Sequence, residues 1–305
     1  MKRLFTLFQI IVLIATTANS QVVEVWKNGI MQANVTAPDS IRMTDNVLSR
    51  EEIQAWAEQH VDSLASIVWQ RMLSEKSMVR DPDKTREVFR SIGYNGRNVF
   101  QFLLGGAVID NAILDSLIAK AKSEGNNKVV AIAGHSSAGK SSSIKKFDDL
   151  QALTNAAGIV LDEVWTDRNA LKTTLQDLKE KGFDDQTVIL VYRRPQKSFK
   201  RACERFLEEG RVIGLRFFIG DYLFTSYLGY VSDFMETELA NMGVKRIYID
   251  NNKPTSIVTA AEAAEWDYTL SDVQKQKMAY NLYKFIYDNK DKLSYRDAWA
   301  LFYDE

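Results

Sequence analysis

The chain has 305 residues, 46% of them hydrophobic, enough to bury a sizeable core as one large domain or one domain with appendages. Its 39 Lys and Arg against 40 Asp and Glu leave a net charge of −1, which excludes a global basic footprint for nucleic acid, so no nucleic-acid partner is expected and any anion-binding surface has to be local. A single cysteine, Cys203, excludes an internal disulfide and a multi-cysteine metal site, and two histidines, His60 and His135, argue against a histidine-based one.

At the N-terminus, Lys2 and Arg3 precede an apolar run from Leu4 to about Ala18, followed by Ala18-Asn19-Ser20 and Gln21. A basic start, a short apolar middle and a small-x-small end describe a secretory signal peptide over residues 1–20. The run is shorter than the roughly 20 residues that span a bilayer, so no stable membrane span is expected once it is cleaved. The mature chain would then be exported, periplasmic or secreted; without cleavage it would be anchored in the inner membrane or cytoplasmic.

Residues 21–124 read as a mostly helical N-terminal region. Gln21–Val47 is irregular with one edge strand, and Ser49-Arg50-Glu51-Glu52 is a capping box that opens a helix. Ile53, Trp56, Ala57, His60, Val61, Leu64, Ile67 and Val68 then recur at helical spacing, a packing stripe. Asp81-Pro82-Asp83 starts a second helix that ends before Gly93. Val99–Ala121 is a third, with Gly105-Gly106 as a weak point.

Residues 125–252 have the pattern of an α/β domain, a P-loop NTPase-type parallel sheet, with helical segments on either side. Val129–Ala133 is a short apolar strand, and Gly134-His135-Ser136-Ser137-Ala138-Gly139-Lys140-Ser141 follows it as G-x-x-x-x-G-K-S, the P-loop spacing. The glycines allow a tight turn in which successive amides, from Gly134 to Ser142, can point at phosphate oxygens. Lys140 supplies a flexible charge for the β- and γ-phosphates, and Ser141 the hydroxyl that ligates Mg²⁺. A helix over Lys140–Asn155 would add its positive end. His135, inside the loop, faces either the nucleotide or solvent. The pattern implies ATP or GTP with Mg²⁺ as ligand, which sits awkwardly with export, since ATP is a cytosolic currency.

Further on, Gly158–Asp162 is a strand ending in a carboxylate. Asp162 is placed to act as base for an acceptor hydroxyl or to hold a Mg²⁺-bound water, with the neighbouring Glu163 able to exchange roles. Asp167 caps a helix to Lys181, Thr187–Tyr192 is a strand, and Pro195 opens a helix that stops at Gly210. Positive charge is dense from Arg193 to Arg216. Arg201 and Arg205 fall one helical turn apart, and Arg205 and Arg211 could form an arginine clamp on the γ-phosphate. Val244–Asp250 is a further strand. Residues 253–305 turn helical again, with Trp266, Tyr280, Tyr283, Phe285, Trp299 and Phe302 patterned like a packing arm.

Five segments, A-G-H-S-S-A-G-K-S, G-I-V-L-D-E, E-K-G-F, V-I-L-V-Y-R-R-P and R-A-C-E-R-F-L-E-E-G-R-V-I, make the stretch from Val129 to Asp250 resemble zeta-toxin-like P-loop kinases, over about two fifths of the chain. The resemblance implies ATP- or GTP-dependent phosphorylation of a small hydroxylated acceptor, with nucleotide-activated amino sugars as the substrate class. It places Lys140 and Ser141 on phosphates and Mg²⁺, matches Asp162 to the strand-end acidic residue, and matches Arg205 and Arg211 to the family's arginines. The chain departs from the family in lacking a separate strand with the usual aspartate after the P-loop helix, and in having Glu163-Val164 where G-T is usual. A second expectation, of a different class, is an exported nucleotide-binding interaction module with little or no catalysis.

Overall fold

A computed structural model of the chain describes residues 22–27, 30–36, 48–165, 167–211, 213–219, 229–252, 254–266 and 270–303. The expected leader over 1–20 lies outside the described residues, as do the side chains of Arg216 and Trp299. The chain divides into two units, Met1–Leu48 and Ser49–Glu305.

In the first unit, β1 (Val22–Lys27) pairs antiparallel with β2 (Ile30–Thr36), with a register shift between Val25 and Trp26. Two strands form where the sequence suggests an irregular stretch with one. The signal is the alternation of Met31, Ala33 and Val35 with Gln32, Asn34 and Thr36, which has the two-residue period of a strand.

The second unit is built on a six-stranded sheet in the order β3 (Val79–Arg80), β5 (Ile159–Asp162), β4 (Lys128–Ala133), β6 (Asp185–Tyr192), β7 (Lys245–Asp250), β8 (Ser256–Val258). All neighbours are parallel except β7 and β8. The two inner strands β4 and β6 are buried almost throughout, as near-continuous apolar runs covered on both faces must be. Val130, Ile132, Val160, Ile189, Val191 and Ile249 form one layer of the core with Ile144 and Leu150. Both edges come from the regions that flank the glycine-rich segment. Two-residue β3 lies upstream of residue 125 and three-residue β8 downstream of 252, both too short to leave a periodic signal.

Helices α1 (Arg50–Gln59), α2 (Val61–Ser74), α3 (Pro82–Arg86) and α4 (Leu103–Ser123) form the upstream part. The capping box of α1 forms as expected: Ser49 Oγ accepts from Glu52 N at 3.1 Å and Ser49 N donates to Glu52 Oε2 at 2.6 Å. The apolar stripe, however, is broken at His60, which ends α1, stays exposed and stacks on Trp56. Ile67 turns outward, while Ile53, Ala57, Leu64 and Val68 carry the packing. α4 runs unbroken through the Gly105-Gly106 pair. A Cβ on Gly105 would come within 2.9 Å of Ile53 Cγ2, so the bare glycine is what lets α1 lie against α4. From Val99 to Ser123 this helical run is long and apolar enough to cross a bilayer by composition, and its buried face includes Ile109, Ile113 and Leu117.

Downstream lie α5 (Lys140–Ile144), α6 (Asp148–Asn155), α7 (Arg168–Glu180), α8 (Pro195–Glu209), α9 (Leu215–Ile219), a π-helix over Tyr230–Leu239, α10 (Ala260–Ala264), α11 (Asp272–Asp288) and α12 (Tyr295–Tyr303). The single helix expected over Lys140–Asn155 is two helices. Phe147 takes an extended conformation that packs its ring on the core layer, and this stops α5 after one turn. In the expected C-terminal packing arm, Trp266 does pack, stacking on Tyr192 with ring centroids 4.8 Å apart. Tyr280 and Tyr283 face solvent instead, because α11 buries its Met278, Ala279 and Leu282 side.

Candidate functional site

The parallel strands β3 to β7 all end at one edge of the sheet, the edge where open α/β sheets place their ligands. The loop that follows β4, Gly134–Gly139, sits there between the ends of β5 and β6. Gly134 has φ +143°, and a Cβ on it would lie 2.4 Å from the Val191 carbonyl oxygen of β6, so no side chain fits. Ser137 has φ +57°, a left-handed conformation unusual outside glycine, and its buried hydroxyl has no hydrogen-bond partner. On the far side, the buried Asn251, just past β7, donates from Nδ2 to Ala138 O at 2.7 Å. The loop is thus held open from three strands. It forms one wall of a cleft of about 750 Å³, within the size range of small-molecule sites.

Three of the residues singled out in the sequence converge. Ser141 Oγ donates to Asp162 Oδ2 at 3.4 Å, Lys140 Nζ lies 3.6 Å from Asp162 Oδ1, and Lys140 Nζ donates to Gly134 O at 3.2 Å. Burial raises the pKa of the Asp162 carboxyl, with Lys140 pulling the other way and Asp81 adding to the rise. Ser141 and Asp162 therefore form an oxygen pair able to hold a hard divalent cation with the aid of water and phosphate. Among the described residues no cluster of three or more His, Cys, Asp or Glu is placed to hold a metal alone. Because α5 is one turn long, it supplies no extended helix dipole to the loop.

His135 is buried, which lowers its pKa and keeps the ring neutral despite its two carbonyl neighbours. Its Nε2 lies 2.6 Å from Arg193 O and its Nδ1 2.9 Å from Ser136 O. A neutral ring has one N–H, and we place it on Nε2, donating to the nearer carbonyl. His135 faces neither solvent nor the open cleft; it pins the end of β6 to the loop. Glu163 also lines the cleft but pairs with Arg80 Nη1 at 2.7 Å.

The arginines are arranged less simply than a clamp. Arg205 Nη2 lies 2.7 Å from Glu209 Oε2, and Arg201 grips Glu208 with contacts of 3.0 and 2.9 Å, so the basic face of α8 is largely matched by its own carboxylates. Arg211 is half-buried and ion-paired to Asp83, which Arg86 also engages. Of these residues all but Glu208 line the cleft, and Arg193 lines it too.

Two cleft residues went unrecognised in the sequence. Asp81 follows β3 directly. Because Arg80 pairs with Leu161, Asp81 comes level with Asp162 on the neighbouring strand. Trp165, buried and with φ +52°, is the second left-handed non-glycine residue lining the cleft, and its carbonyl accepts from Tyr230 Oη at 3.3 Å. The Asp81-Pro82-Asp83 sequence reads as a helix start and the helix is there, but the strand feeding it was invisible. Neither a scan against protein-family models nor a search of curated proteins found a match to this chain.

Proposed function

We propose that the chain is a phosphotransferase that binds ATP or GTP with Mg²⁺ in the Gly134–Ser141 loop and phosphorylates a hydroxyl of a small molecule such as a nucleotide sugar, as zeta-toxin-like P-loop kinases do. The observation that carries this reading is the loop itself. A turn that excludes a Cβ at Gly134 opens on a cleft, and Lys140, Ser141 and Asp162 close together around one point beside it.

In this reading the loop amides and Lys140 bind the polyphosphate, and Ser141 and Asp162 would hold Mg²⁺, which supplies neutralising charge. Asp162 is engaged by Ser141 and Lys140, so the carboxylate left to take the acceptor's proton is Asp81, on the next strand end. Arg205 and Arg211 line the same cleft as sources of positive charge, each paired to a carboxylate.

Calorimetric titration of the protein with ATP and MgCl₂ tests the reading, with Lys140→Met as control. Hydrogen bonds to charged groups are worth about 1.5–3 kcal/mol, so the substitution should weaken binding about 10- to 150-fold. An unchanged affinity would exclude the loop as the phosphate site. Binding without transfer to any of a panel of hydroxylated metabolites would leave the exported nucleotide-binding module as the function.

A further inference from the structure

The phosphotransferase reading assigns the transferred phosphoryl group to Arg205 and Arg211, and the side-chain pairing in the cleft argues otherwise. Arg201 and Arg205 are neutralised by Glu208 and Glu209 of their own helix, and Arg86 and Arg211 share Asp83. Arg193 lines the same cleft, half-buried, with no ion pair among the described residues and with its Nε buried and lacking an acceptor. A guanidinium taken partly out of water without an acceptor is costly unless something else satisfies it.

Its position is fixed from both sides. The β6 register carries Tyr192 opposite Asp250, so Arg193 stands one residue beyond the sheet edge. Its carbonyl accepts from His135 of the glycine-rich loop at 2.6 Å, and the next amide, Arg194 N, donates to Asn252 Oδ1 at 2.9 Å. The backbone of Arg193 is therefore tied to the very loop that would hold the phosphates.

We propose that Arg193 is the catalytic arginine of this site, the cation that meets the γ-phosphoryl group as it moves. The proposal rests on the phosphotransferase reading. In the step concerned, the acceptor's hydroxyl oxygen forms a bond to the γ-phosphorus. The bond from that phosphorus to the bridging oxygen breaks, and its electron pair leaves with the nucleoside diphosphate. The hydroxyl proton passes to the Asp81 carboxylate. Arg193 donates to the non-bridging γ-oxygens, and His135 acts as a positioning residue by holding the Arg193 carbonyl. Arg205 and Arg211, already paired, act at most on binding.

The test compares Arg193→Ala, Arg193→Gln, Arg205→Ala and Arg211→Ala in the full chain. Three quantities are read: affinity for ATP with magnesium, affinity for ADP with magnesium and aluminium fluoride as a mimic of the transferring group, and turnover. Both Arg193 variants should keep ATP affinity within about threefold while losing the extra affinity for the fluoride mimic, with turnover down about 10²- to 10³-fold. Arg205→Ala and Arg211→Ala should weaken ATP and the fluoride mimic by similar factors, leaving the ratio of the two affinities within about fivefold of the parent's. If the Arg193 variants bind the mimic as the parent does, or if Arg205→Ala or Arg211→Ala loses more of it, the assignment is wrong while the nucleotide site stands. A parent protein that binds no nucleotide overturns both readings.

Discussion

Asp81 offers the cleanest separation of a structural from a chemical role. Its Oδ1 accepts from Asp83 N at 3.0 Å and from Lys84 N at 3.5 Å, so it is the N-cap of α3 as well as the proposed proton acceptor. Asn caps a helix about as well as Asp, whereas Ala at such a position costs about 0.5–2 kcal/mol. Asp81→Asn should therefore leave the thermal midpoint within about 2 °C of the parent, since about 1 kcal/mol moves a domain of this size by ~2–4 °C. The same change removes a general base, worth about 10²- to 10⁴-fold in turnover. It should also move a pH profile. Asp81's charge is one cause of the raised Asp162 pKa, so without it Asp162 ionises at lower pH and the acid limb of the rate profile shifts to lower pH. The assay is transfer at saturating nucleotide across a pH series, alongside a melting curve and a nucleotide titration. Turnover within threefold of the parent, or a loss that appears only with a fall in midpoint, would refute Asp81 as base.

Gly134→Ala would place a methyl 2.4 Å from the Val191 carbonyl oxygen at a φ that L-residues avoid. Backbone strain of about 1–3 kcal/mol and a forced separation of comparable size should lower the midpoint by roughly 5 °C or more and abolish nucleotide binding; a variant that melts and binds like the parent would mean the loop is not as tight as described. Asp162→Asn should move stability and function in opposite directions. Burial holds this carboxyl's folded pKa above its unfolded value, so its favourable contribution is present below the unfolded value and is lost as pH rises through the folded one. Removing the charge at neutral pH should then raise the midpoint by about 2–4 °C while transfer drops about 10²-fold or more; a fall in both would point to a role in folding alone.

Much of this architecture was legible because it rests on local signals. The apolar runs Val129–Ala133 and Thr187–Tyr192 and the Ser49 capping box each state their conformation within a few residues, and each forms. The failures are of two physical kinds. Val79–Arg80 and Ser256–Val258 are strands only because a longer neighbour pairs with them, so their signal lies in the tertiary structure rather than in their own sequence. At Phe147 and Gly105, packing overrides helix propensity. A helix-compatible stretch is interrupted to bury one ring, and a weak helix position is kept so that Ile53 can approach.

The arginines show a third kind of limit, which concerns charge rather than shape. A basic helix such as Pro195–Glu209 reads as a cluster of free cations, but Glu204, Glu208 and Glu209 stand three to seven residues away on the same surface and absorb Arg201 and Arg205. Among the described residues, the cleft arginine without an ion pair is Arg193, just past a strand end and outside the helix altogether. The same reasoning accounts for Lys140. Its ammonium donates to Gly134 O and pairs with Asp162, so a polyphosphate would have to draw it from both. A ligand in the cleft must therefore replace existing pairs at Lys140, whereas at Arg193 it meets a guanidinium with no ion pair among the described residues. Ground-state affinity should therefore depend chiefly on the loop and Lys140, and the difference between bound substrate and transferring phosphoryl chiefly on Arg193.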